Sequence, residues 1–135
     1  NNKNEFFSID ARNGIVKWKQ TVNSSLRPTI TENFVFSISE EGYLFVLDER
    51  TGAIIKITNA LANIKNKKNK IKPTGFILAK NKIYLSLNNG RLVKIDLKTG
   101  FEENIFKLYK TKISRPYVFN GKMYLIKDNG IIKVN

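Results

Sequence analysis

One five-residue spelling recurs three times and sets the rhythm of the chain. It reads Asp10-Ala11-Arg12-Asn13-Gly14, then Asp48-Glu49-Arg50-Thr51-Gly52, then Asp96-Leu97-Lys98-Thr99-Gly100. The aspartates are spaced 38 and 48 residues apart. A period of that size belongs to a supersecondary unit that stacks on copies of itself, because one such unit cannot bury its apolar face alone. The upstream half of the unit repeats as well. Gly42 and Gly90 stand six residues before Asp48 and Asp96, and Gly130 is the third member of that column. Seven residues before each glycine a strand begins: Val35-Phe36-Ser37-Ile38, Ile83-Tyr84-Leu85-Ser86 and Met123-Tyr124-Leu125-Ile126. Phe36, Tyr84 and Tyr124 fall in register, and Pro28, Pro73 and Pro116 each open a unit.

Each unit reads as four short antiparallel strands. In the first complete one they cover residues 29–31, 35–38, 43–47 and 53–57. The turns between second and third strands are Glu40-Glu41-Gly42, Asn88-Asn89-Gly90 and Asp128-Asn129-Gly130. Asn-Gly pairs suggest type I′ hairpins, whose two central residues need positive φ. Helix has a claim only on residues 59–65, as a single turn. The Asp-to-Gly segments have a mechanical reading. A carboxylate at a strand end accepts hydrogen bonds from the N–H groups of the following turn, Thr51 and Thr99 add hydroxyls, and Gly14, Gly52 and Gly100 close the turn at positive φ. Asp10, Asp48 and Asp96 are therefore read as structural.

These columns resemble the quinoprotein (PQQ-like) propeller repeat, whose blades end in an Asp-x-x-Thr-Gly turn followed by a Trp. Asp10, Gly14 and Trp18 match most fully, with Asn13 in place of the Thr; Lys56 and Asn104 take the Trp position in the next two blades. The resemblance implies an all-β chain: a β-propeller fragment of about three four-stranded antiparallel blades from a larger propeller of seven or eight. Residues 1–22 would end one blade and 23–58 form a full one. Residues 59–72 make a basic crossing loop, 73–110 a second full blade, and 111–135 three strands of a last blade. The last blade's fourth strand is expected from near the N-terminus of the full protein, and the missing blades of the same chain are partners in that sense. Two branches of the family matter. One holds quinone-dependent dehydrogenases, with PQQ and calcium at the propeller centre. The other holds non-catalytic scaffolds such as the outer-membrane assembly factor BamB. Plain, short repeats favour the second, which implies a protein partner, no cofactor, and a periplasmic or outer-membrane location.

Composition bounds the chemistry. The 135 residues contain no Cys and no His, which removes Cys/His zinc sites, thiol catalysis and a Ser-His-Asp triad from this stretch. No catalytic constellation is found: Glu40-Glu41 and Glu102-Glu103 are neighbours along the backbone and point apart. The formal net charge is +13, for which Lys- and Asn-rich drift at tolerant surface positions is a sufficient reading. The longest crossing, however, carries Lys65, Lys67, Lys68, Lys70 and Lys72. It is a candidate contact for an anionic membrane surface or an acidic partner. Nucleic acid is disfavoured because the aromatics lie in strands, away from these lysines. Arg27, Lys72 and Arg115 precede the three prolines, a cation column at the entrance to each innermost strand and a candidate lining for a central channel.

Overall fold

Short apolar runs bounded by Gly, Asn and Asp leave room for strands and tight turns only. The computed structural model describes residues 5–65, 68 and 70–134. The hairpin of β1 (Glu5–Ile9) and β2 (Val16–Thr21) comes first. A four-stranded sheet follows, with β3 (Thr29–Ile30), β4 (Phe34–Ile38), β5 (Tyr43–Asp48) and β6 (Ile54–Asn59) in sequence order. The next sheet repeats it with β7 (Pro73–Ala79), β8 (Lys82–Leu87), β9 (Arg91–Asp96) and β10 (Glu102–Lys107). The last holds β11 (Tyr117–Phe119), β12 (Lys122–Lys127) and β13 (Gly130–Val134). Every neighbouring pair is antiparallel. Four meander sheets of two, four, four and three strands agree with the blade pattern expected from the repeat.

The main core lies between the two four-stranded sheets. Phe36, Ile38 and Leu44 of one meet Phe76, Ile83 and Leu85 of the next, and Leu61 and Ile64 of the long crossing fill the gap. A smaller cluster joins the first hairpin to its neighbour through Trp18, Val35 and Leu47. A third joins the last two sheets through Leu92, Ile113 and Leu125.

Two local expectations are corrected. Residues 59–65 form no helical turn, and no α-helix occurs among the described residues. β6 runs on to Asn59, whose side-chain oxygen accepts from the Leu61 N–H at 3.1 Å. Two separate turns follow, from Ala62 N to Asn59 O and from Ile64 N to Leu61 O. Burying Leu61 and Ile64 against the sheets outweighs continuing a helix. The type I′ assignment holds only at Asp128 and Asn129, with φ of 51° and 66°. At the other two hairpins positive φ is confined to Gly42 and Gly90, each closing a turn back to Ser39 O or Leu87 O. Paired positive φ reappears at Lys80-Asn81 and Asn120-Gly121, between first and second strands, where the sequence reading saw no I′ signal.

Replacing Leu85, fully buried in the main core, by Ala should cost about 2–5 kcal/mol. Ile55→Ala on the exposed face of β6 should stay within about 0.5 kcal/mol. Urea unfolding of both variants checks the placement of the core.

Candidate functional site

Antiparallel alternation sends the loops to two faces. The Asp-to-Gly turns share one, the turn face, with the hairpins between first and second strands. The crossings between sheets share the other, the crossing face, with the hairpins at Gly42, Gly90 and Asp128-Asn129.

On the turn face the repeated acids are held by backbone. Asp48 Oδ1 accepts from the Arg50 and Thr51 N–H groups at 2.8 and 3.0 Å, and Gly52 N donates to Asp48 O at 2.8 Å. Asp96 accepts from Lys98 N at 2.9 Å, with Gly100 N closing on Asp96 O. Asp10 accepts from Arg12 N and pairs with the Arg12 guanidinium, both at 2.9 Å. Thr51 and Thr99 each accept from the N–H two residues on, and Asn13 does the same for Ile15, which explains how it replaces a threonine. Gly14, Gly52 and Gly100 all have positive φ. The N–H bonds, that of Thr51 first, hold the Asp48 carboxyl below its ordinary pKa, and the Arg12 guanidinium does the same for Asp10.

These turns are also where one sheet grips the next. The Trp18 ring lies over Gly52, where an added Cβ would come within 2.5 Å of it, and its Nε1–H donates to Glu49 O at 2.8 Å. Lys56, at the Trp position of the next unit, reaches the corresponding turn with its Nζ and donates to Lys98 O at 3.0 Å. Two residues further along each strand comes a second clasp that the sequence reading missed. Gln20 donates to Gly52 O at 3.1 Å and Thr58 to Gly100 O at 3.0 Å. Its signal was available as a polar residue ten places after Asp10 and after Asp48.

On the crossing face the glycine column anchors the crossings. Ala60 N donates to Gly42 O at 3.0 Å, and Leu108 and Tyr109 both donate to Gly90 O at 3.1 Å. A Cβ on Gly90 would run into the Tyr109 backbone at 2.2–2.3 Å. Asn88 pins the end of the basic crossing: its Nδ2 donates to Lys70 O at 2.9 Å and its Oδ1 accepts from Lys72 N at 3.0 Å. Lys65, Lys68, Lys70 and Lys72 are exposed; Lys67 lies outside the described residues. Arg27 is exposed as well. Arg115 is placed differently from Arg27. It is half-buried, donates to Phe76 O at 3.2 Å, and stands over the Tyr117 ring at 5.3 Å.

Charge is divided between the faces. The described acids of the crossing face are Glu5, Glu40, Glu41 and Asp128, against the four exposed lysines of the long crossing, Arg27, Arg91, Lys107, Lys110, Lys112, Arg115 and Lys127. The turn face holds more of the acids, namely Asp10, Glu32, Asp48, Glu49, Asp96, Glu102 and Glu103, and pairs several of them. Lys82, for example, pairs with Glu103 at 2.5 Å and lies 3.8 Å from Asp96, and Lys94 also reaches Glu103. Among the described residues no group of three or more His, Cys, Asp or Glu side chains could hold a metal ion.

Residues 1–58 match the family described as outer membrane protein assembly factor BamB. No curated protein matches. Among solved structures, BamB from Moraxella catarrhalis superposes with a TM-score of 0.66 at 18% identity, covering 98% of this chain and 40% of that one. The Cps50 (Swd1) β-propeller domain of Myceliophteria thermophila gives 0.71 at 10% identity, over 93% of this chain and 43% of that one. The quinohemoprotein alcohol dehydrogenase ADHIIG of Pseudomonas putida HK5 gives 0.57 at 20% identity, over 81% and 18%. The chain thus spans well under half the length of each of these proteins.

Two outcomes test the junction. Gly52→Ala should destabilise by about 2–4 kcal/mol, from positive φ and overlap with Trp18 together. Because the Asp48 pKa is lowered on folding, its stabilising effect is present above the unfolded value near 3.8 and is lost as pH falls through the folded one. Asp48→Asn should therefore flatten the acid limb of a stability–pH curve measured by denaturant unfolding. By fold along its length the chain is a β-propeller segment, and residues 1–58 are similar in sequence to the BamB family.

Proposed function

We propose that this chain is part of a non-catalytic β-propeller scaffold for protein–protein interaction, acting like BamB in the assembly of outer-membrane proteins at the periplasmic side of that membrane. The observation that carries the reading is the use made of the repeated polar residues. Asp10, Asp48 and Asp96 are spent on their own turns, and Trp18, Lys56, Gln20 and Thr58 on gripping the next blade. What is left for recognition is a rigid frame with loops on two faces, the arrangement by which scaffolds bind partners. The match of residues 1–58 to the BamB family supports the same reading.

The rival reading, the tail of a PQQ- and calcium-dependent dehydrogenase, draws on the likeness to the quinohemoprotein alcohol dehydrogenase. It would place the reacting groups in blades outside this chain.

In the full-length protein from its native host, cross-linking in intact cells should recover components of the outer-membrane assembly machinery, and fractionation should place the protein in the envelope. Dye-linked alcohol oxidation that depends on added PQQ and calcium would overturn the scaffold reading, as would a cytosolic location.

A further inference from the structure

At one point on the crossing face two cations face each other without an acid. Arg91 opens β9 and Lys107 closes β10, and they are direct cross-strand partners. Like charges at such positions are destabilising. Elsewhere the chain avoids this: Lys82 sits opposite Asp96, with Glu103 on the same lysine. Among the described residues, no carboxylate lies within 4.0 Å of Arg91, Lys107 or Lys110.

The uncompensated charge lines a concave site. A cavity of about 490 Å³ is bounded by Asn89, Arg91, Lys107, Leu108, Tyr109 and Lys110. Its wall is fixed from behind, because the Leu108 and Tyr109 N–H groups both end on Gly90 O and Gly90 admits no side chain there. Asn89 Oδ1 accepts from the Arg91 N–H, which leaves its amide nitrogen as the donating end. The Tyr109 ring is held by the Lys127 ammonium 5.3 Å from its centre, and that ammonium is already paired with Asp128. The polar side-chain groups around the cavity are thus mostly donors, and its charges are all positive.

The geometry points to an anion-binding pocket at Arg91, Lys107 and Lys110, built for the phosphate group of a larger molecule or for free phosphate. A carboxylate carries one charge on two oxygens and would leave part of this donor set unused. A phosphate offers more acceptor oxygens, a match to the Arg fork and two ammonium groups. The exposed lysines of the neighbouring crossing, Lys65, Lys68, Lys70 and Lys72, extend the positive surface around it. This suits a headgroup presented by an anionic bilayer, whose surface potential attracts nearby cations.

The test uses the full-length protein and the double variant Arg91→Gln/Lys107→Gln, with Arg50→Gln/Lys98→Gln on the turn face as a charge-matched control. Inorganic phosphate is titrated by calorimetry at low ionic strength, and co-sedimentation is measured with vesicles of phosphatidylglycerol in phosphatidylcholine or of phosphatidylcholine alone. The parent and the control should bind one or both phosphate sources, and the double variant at least about tenfold more weakly. Without phosphate the double variant should unfold at the same or slightly higher denaturant concentration than the parent, since repulsion has been removed. That outcome separates a lost site from a damaged fold. Binding to the phosphatidylglycerol vesicles alone identifies the lipid headgroup as the source, and binding to inorganic phosphate identifies a soluble one. The proposal is overturned if neither source binds, or if the control pair weakens binding as much as the pocket pair does.

Discussion

Everything in this chain hangs on the grip that the outer strand of one blade has on the Asp-to-Gly turn of the next. A four-stranded meander has an apolar face and no means of covering it alone. The turn must therefore be a rigid seat, and the carboxylate, the hydroxyl and the positive φ at glycine make it one. Trp18 can lie flat on Gly52 because there is no side chain beneath it. The same absence lets Thr58 approach Gly100, where an added Cβ would come within 2.3 Å of its hydroxyl oxygen.

The two seats are closed by different chemistry, and the difference follows the size of the core beneath them. Where the first hairpin meets its neighbour, the shared cluster is small and Trp18 supplies both apolar area and a hydrogen bond. Between the two complete blades the core is much larger, and Leu61 and Ile64 of the long crossing add to it. There a lysine suffices at the same position, its ammonium ending on Lys98 O. Loss of the tryptophan from the repeat thus marks a junction stabilised by other means.

Most of the frame was legible in the sequence because it is written in residues with narrow conformational or steric roles. Asp, Gly and Pro columns gave blade count, strand order and turn placement. What escaped was set by partners distant in sequence. Gln20 and Thr58 look like ordinary strand-face polar residues until the neighbouring turn is placed against them. Residues 59–65 carry helix-favouring Ala and Leu, yet Leu61 is drawn over Gly42 and the local preference loses. The two I′ turns between first and second strands, at Lys80-Asn81 and Asn120-Gly121, escaped because the turn signals were read only between second and third strands. Net charge was the least legible quantity. As a total it fits compositional drift, but drift has no reason to prefer one face, and the structure shows the acids concentrated on the other.

The sheet of β11–β13 gives that charge a second consequence, in colloidal behaviour. Tyr117, Phe119, Ile126 and Ile131 line an apolar groove of about 420 Å³, with Phe119 and Ile131 exposed by 68% and 78%. Such a surface attracts copies of itself. A net charge of +13 holds molecules apart only over the Debye length, about 10 Å at 0.1 M salt and about 3 Å at 1 M. For molecules that leave this groove uncovered, added salt removes the barrier to self-association while strengthening the apolar attraction.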